Sequence, residues 1–168
     1  MILVSDHPHR PPDDRPVTVR VVTVSDRCHS GEREDRSGPA ARDELEHAGV
    51  TVVEVRVVPD EPAAIRSVVQ EKDVDVVFCT GGTGVGPRDI TIETVEPLLD
   101  KTLPGFGELF RARSVEQVGT AAFLSRATAG VVAGRAVFCV PGSPKAAALG
   151  ASLAASEMAH LVYHVLKG

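Results

Sequence analysis

A chain of 168 residues, 43% hydrophobic and only 4% aromatic, suits one domain whose core rests on Val, Leu, Ile and Ala. Its net charge of −5 disfavours nonspecific nucleic-acid binding, and no apolar run approaches the ~20 residues that span a bilayer. Cys28, Cys79 and Cys139 lie far apart, which excludes a paired-cysteine metal motif and argues against a disulfide framework.

Residues 1–16, MILVSDHPHRPPDDRP, lack an extended apolar region behind basic residues. They read as a flexible arm rather than a signal peptide, ahead of a single cytoplasmic domain at 17–168. Val17 to Val24, VTVRVVTV, predicts a buried strand, followed by the polar loop SDRCHSGEREDRSG. PAARDELEHAG opens with Pro39 and closes with Gly49, the asymmetry of a helix. Val50 to Val58 predicts a second strand, and AAIRSVVQEK a helix with Ile65, Val68 and Val69 on one face. Asp75 to Thr80 predicts the third strand.

Beyond a glycine-rich loop, TIETVEPLLD predicts a helix with Thr91 as N-cap and Pro97 as a kink. PGFGELFRARS predicts another helix. FLSRATAGVVAGRAVFCV holds short extended segments ending in a strand at Ala136 to Val140, and an Ala-rich helix starts near Pro144. Strands alternating with helices, several of them apolar on both faces, define an α/β fold with a mostly parallel sheet.

Ligands of such sheets gather outside the carboxyl ends of the strands. Four segments leave those ends: Ser25-Asp26-Arg27, Pro59-Asp60-Glu61, Gly81 to Asp89, and Pro141-Gly142-Ser143-Pro144. The loop TGGTGVGPRD, from Thr80 to Asp89, matches neither the GxGxxG nor the P-loop pattern. It suits a turn needing positive φ, or a cradle presenting backbone N–H groups to an anion; the attached Arg88-Asp89 favours the cradle. Asp60 and Asp89 suit helix entry, or alternatively a magnesium ion beside phosphates. Ser25, Asp26, Arg27, Arg33, Arg36, Arg88, Ser125, Arg126, Ser143 and Lys145 supply further polar groups for an anionic ligand. Glu157, His160 and His164 share a helical face, but without HExxH order they read as a solvated or subunit-facing surface rather than a zinc site.

VSDRCHSGEREDRSG, PDEP, TGGTGVGPRDITIE, PGFGELFR, LSRATAG and PGSP stand here in the order seen in the molybdopterin adenylyltransferase family. The chain resembles that MoaB/Mog type of molybdenum cofactor biosynthesis protein from about Val17 to Lys167. The resemblance implies a three-layer αβα, Rossmann-like, molybdopterin-binding sandwich, assembled as a homotrimer or homohexamer. It implies adenylylation of the molybdopterin phosphate with Mg-ATP, with later handover to a molybdate-inserting protein. Asp60 and Asp89 then match the family's important acidic residues, and Thr80, Gly81, Gly82, Thr83, Gly84, Ser125, Pro141, Gly142 and Ser143 match positions that contact phosphates or pterin. A noncatalytic molybdopterin-binding protein of the same fold is the alternative. Ile92 stands where the family usually has Pro.

Overall fold

The Val-rich runs form strands in the computed structural model, which describes residues 14–167. They are β1 (Thr18–Val24), β2 (Thr51–Val58), β3 (Val76–Thr80), β5 (Thr128–Val132) and β6 (Arg135–Val140), joined by the short edge strand β4 (Lys101–Thr102). Their order across the sheet is β2-β1-β3-β6-β5-β4. β2, β1, β3 and β6 run parallel, while β5 is antiparallel to both its neighbours. A two-residue turn, Ala133-Gly134, joins β5 to β6 with φ of 46° and 79°. Both values are positive, as a type I′ hairpin requires.

The helices are α1 (Asp26–His29), α2 (Ser37–His47), α3 (Pro62–Gln70), α4 (Thr91–Val95), α5 (Pro104–Val118) and α6 (Pro144–Leu166). Alternation along the strands sends side chains into two separate cores. Val19, Val21, Phe78 and Phe138 pack with Leu45 of α2, Phe110 of α5 and Met158 of α6. Val22, Val77, Cys79 and Cys139 pack with Ile65, Val68 and Val69 of α3 and Val95 of α4. Helices therefore cover both faces, which explains strands with no polar side at all. Cys79 and Cys139 are in register on β3 and β6, free and fully buried.

Four local expectations change. The polar loop after β1 contains the short helix α1, whose first turn is capped by the Ser25 hydroxyl oxygen accepting from the Cys28 N–H. α2 starts at Ser37 rather than Pro39, because Asp35 accepts from the backbone N–H groups of Ser37 and Gly38. Thr91 is the first residue of α4 and not its cap; its hydroxyl donates instead to Gly81 O. At Pro97 the helix tightens into a 3₁₀ turn, Glu96–Leu98. Residues 1–13, most of the expected arm, lie outside the described residues. Arg15 forms a two-pronged ion pair with Asp75, at 2.6 and 2.7 Å.

α6 crosses the sheet closely because Gly150 faces β6: a Cβ there would lie 2.5 Å from Val140 Cγ1. Replacing Gly150 by Ala gains about 1 kcal/mol in helix propensity, but overpacking a closed core costs about 1–3 kcal/mol. Gly150→Ala is expected to lower the urea unfolding midpoint. A raised midpoint would show that α6 can move away from the sheet without loss.

Candidate active site at the carboxyl edge of the sheet

The parallel strands β1, β2, β3 and β6 release their loops on one edge, and backbone bonds tie those loops together. Ser25 N donates to Val58 O at 2.9 Å, and Gly81 N to Val140 O at 3.0 Å. Reversal of β5 explains why Ser125 and Arg126, which precede a strand instead of following one, reach the same edge. Gly81 has φ of 102°, and a Cβ on it would lie 2.3 Å from Val24 O. No residue but glycine fits there.

Four successive carbonyls of the glycine loop are held from outside the cavity. Thr91 donates its hydroxyl to Gly81 O at 2.8 Å and its N–H to Gly82 O at 2.9 Å. Arg126 donates Nε–H to Thr83 O at 3.1 Å and Nη2–H to Gly84 O at 2.5 Å. In a planar trans peptide the next residue's N–H points opposite to the carbonyl. The N–H groups of Gly82, Thr83, Gly84 and Val85 therefore turn away from these anchors, and Gly82, Thr83 and Gly84 line the cavity. None of them donates to an acceptor among the described residues. Consecutive unmet amides of this kind form a cradle for an anion.

Two carboxylates pack against this loop. A Cβ on Gly82 would lie 3.1 Å from Asp60 Oδ1, and one on Gly84 only 2.6 Å from Asp89 Oδ2. Asp89 also accepts from Gly86 N at 2.8 Å. Asp60 and Asp26 bridge the loops after β1 and β2 reciprocally: Asp26 N donates to Asp60 Oδ2 at 2.8 Å and Asp60 N to Asp26 Oδ1 at 2.9 Å. Burial pushes the Asp60 carboxyl above the usual carboxylate range, and the nearby Asp26 and Asp89 charges add to this. Asp26 is held below that range by its hydrogen bond from the Arg88 guanidinium.

These loops bound a cavity of about 620 Å³. Its wall includes Ser25, Asp60, Gly81, Gly82, Thr83, Gly84, Asp89, Ser125, Pro141, Gly142 and Ser143. Ser25 and Ser143 accept helix N–H groups through their hydroxyl oxygens, which leaves each hydroxyl proton for another acceptor. Ser125 Oγ is buried without a hydrogen-bond partner among the described residues. Three serine hydroxyls thus remain to be satisfied around one space.

Asp26, Arg27, Thr80 and Arg126 stand elsewhere. Asp26 lies behind Asp60, and Arg27 pairs with Glu32 at 2.8 Å in an exposed position. Thr80 is fully buried and donates to Pro141 O at 2.9 Å. Arg126 lies behind the glycine loop, paired with Glu93. Conversely, sequence reasoning missed Asp35 and Ser37 on the opposite wall. Asp35 accepts from the Thr23 hydroxyl at 2.8 Å, and the Ser37 hydroxyl donates to Gly142 O at 2.5 Å. The helix-entry pattern Asp35-Arg36-Ser37 was a usable signal for this. Ser114 and Gln117, on the inner side of α5, had none.

His160 Nε2 lies 3.0 Å from His164 Nε2, near the end of α6 away from the cavity. Among the described residues, no group of three or more His, Cys, Asp or Glu is arranged to hold a metal ion. Two carboxylates suffice only for a cation that arrives with phosphate oxygens and waters as its other ligands, as magnesium does. No helix among the described residues is long and apolar enough to cross a membrane.

A doubly covered, mostly parallel sheet with an amide-lined, two-carboxylate cleft at its carboxyl edge defines an α/β protein whose cleft has the donors an anionic ligand needs. Residues 20–160 match the family model described as "Probable molybdopterin binding domain", and the chain belongs to that family. It is 46% identical over 151 residues to a molybdopterin adenylyltransferase of Pyrococcus furiosus, covering 86% of this chain and 88% of that one. Molybdenum cofactor biosynthesis protein B of Bacillus subtilis is 42% identical over 170 residues, with 98% of each chain covered. The crystal structure of the tungsten cofactor synthesizing protein MoaB from Pyrococcus furiosus superposes with a TM-score of 0.81 at 43% identity, covering 90% of this chain and 98% of that one. The six-stranded sheet and its helices therefore have the αβα arrangement that the resemblance implied.

Because the folded state raises the Asp60 pKa, ionised Asp60 costs stability at neutral pH, and that cost disappears as pH falls below the ordinary carboxylate range. Asp60→Asn is expected to raise the melting temperature at pH 7 and to gain progressively less towards pH 3. A gain that grew on acidification would reverse the assigned sign.

Proposed function

We propose that the chain acts in molybdenum cofactor biosynthesis by adenylylating the molybdopterin phosphate at the expense of ATP. The observation that carries this reading is the row of unmet N–H groups starting at Gly82, of which those of Gly82, Thr83 and Gly84 belong to residues lining the cavity with Asp60 and Asp89. Transfer between two phosphates brings like charges together, so positioning and charge stabilisation dominate and no Ser or Cys nucleophile is needed.

In the reaction, an oxygen of the molybdopterin phosphate forms a bond to the α-phosphorus of ATP. The α–β bridging bond breaks and pyrophosphate leaves with its electron pair. The loop amides donate to phosphate oxygens, and the hydroxyls of Ser25, Ser125 and Ser143 complete the donor set around the two substrates. Asp60 and Asp89 would hold the magnesium ion of Mg-ATP, which offsets phosphate charge at the transferring centre. Pro141 and Gly142 keep the far side of the cleft narrow: a Cβ on Gly142 would lie 3.0 Å from Gly81 Cα.

The same reading places the protein in the cytoplasm as a homotrimer or homohexamer that hands its product to a molybdate-inserting partner. Self-association is supported by exposed apolar side chains on α5 and the turn after it, namely Leu109, Val115, Val118, Phe123 and Leu124; Phe123 is 78% exposed. Light scattering should return three or six times the monomer mass.

Purified protein with molybdopterin and Mg-ATP is expected to release pyrophosphate in step with loss of ATP. Asp89→Asn keeps an acceptor for Gly86 N but loses the charge. It is expected to lower turnover on the order of 10²–10³-fold, the usual cost of removing one group that stabilises a transferring charge, with an unchanged melting curve. Tight molybdopterin binding without pyrophosphate release would instead make the protein a carrier. Full activity in Asp89→Asn would remove Asp89 from the mechanism.

A further inference from the structure

We propose that Arg126 is the positioning residue of the glycine loop and that Glu93 locks it in place, an inference that rests on the loop binding phosphate. Arg126 spends its guanidinium on three partners, none of them in the cavity: Thr83 O, Gly84 O and the Glu93 carboxylate. A guanidinium presents its N–H groups in a rigid fork, so fixing one edge on a carboxylate fixes where the others point. The two carbonyls it holds belong to the peptides that carry the Gly84 and Val85 N–H groups. Without a donor behind them, those peptides can flip, because both share the α-carbon of Gly84 and lie in a loop outside regular structure. A flip would replace an N–H by a carbonyl oxygen towards the phosphate.

The parts arrive from different places in the fold. Glu93 is on α4, which the loop itself leads into; Arg126 comes from the segment that precedes the reversed strand β5. The ion pair therefore closes the loop from behind. The Arg126 guanidinium holds the Glu93 carboxyl below its ordinary range, so the pair stays ionised through neutral pH. Thr91 performs the matching task for Gly81 O and Gly82 O. Arg126 thus governs the second half of the amide row and not the first.

A charge role and a positioning role make opposite demands. Were Arg126 merely a cation attracting phosphate, Arg126→Lys would preserve binding, and Glu93→Gln would strengthen it by removing a competing anion. As a clamp, lysine fails because one ammonium on a flexible stem cannot serve two carbonyls and a carboxylate in fixed geometry, and Glu93→Gln weakens binding by releasing the fork.

The test measures pyrophosphate affinity by calorimetry and backbone N–H order parameters of Gly82 to Val85 in ligand-free protein, for the wild type, Arg126→Lys and Glu93→Gln. Both variants are expected to bind pyrophosphate at least tenfold more weakly. Order parameters at Gly84 and Val85 should fall from about 0.85 to below about 0.6, with little change at Gly82 and Thr83. Wild-type affinity in Arg126→Lys, or tighter binding in Glu93→Gln, overturns the proposal. So do unchanged order parameters, which need no ligand; should wild-type protein bind neither pyrophosphate nor ATP, the phosphate reading fails while the order parameters still decide the clamp. If Arg126→Lys does not fold, the milder Glu93→Gln carries both readouts.

Discussion

The close passage of Gly81 between the ends of β1 and β6 sets the geometry of the whole rim. Its N–H bonds to Val140 O, its α-carbon presses towards Val24 O, and Gly142 packs directly against it. Three loops meet at a point where no side chain fits, so the backbone itself becomes the lining. Once Gly81 is fixed, Thr91 can reach back to two carbonyls, and Asp60 and Asp89 can rest against Gly82 and Gly84. The sheet beneath supplies the rigidity: in-register parallel pairing from β1 through β3 to β6 leaves the three strand ends level.

Electrostatics then divides the rim into two kinds of acid. Asp26 is spent on Arg88, which keeps it ionised and ties the glycine loop to the loop after β1. Asp60, one step further in, has no cation as a direct partner and carries the cost of burial. A group held in that condition gains from a cation brought by a ligand, whereas Asp26 has already been satisfied. Arg88 and Arg126 near the cleft stabilise loops, while Arg33, Arg36 and Lys145 on the cavity wall join the amides and hydroxyls as groups suited to an anion.

Much of this was readable from residue order. Gly49 does end α2's turn with φ of 83°, and Ile65, Val68 and Val69 do form the buried face of α3. Polar loops after four apolar runs were enough to foresee that they meet around one cavity, because a parallel sheet leaves them nowhere else to go. What could not be read depends on tertiary partners. Thr91 looks like a helix cap by position, yet Gly81 O competes for its hydroxyl and wins. Ala133 gives no hint of a left-handed residue, so the type I′ turn, and with it the reversal of β5, stayed hidden. Without that reversal Arg126 reads as one more cation for the ligand, when in space it stands on the other side of the loop. Asp35 carried a local signal in its helix-entry pattern, and only its bond from the Thr23 hydroxyl depends on the tertiary fold.

A lining made of main chain has an unusual genetic consequence. The donors from Gly82 to Val85 cannot be deleted by any ordinary codon change other than one to proline, since every other amino acid carries the same N–H. Alanine scanning of the loop would therefore disturb its shape but leave the donors themselves intact. The side chains of the opposite wall, from Asp35 to Ser37 and along α5, are open to drift without that protection. Divergence among relatives in what they accept should accumulate on that side of the cleft.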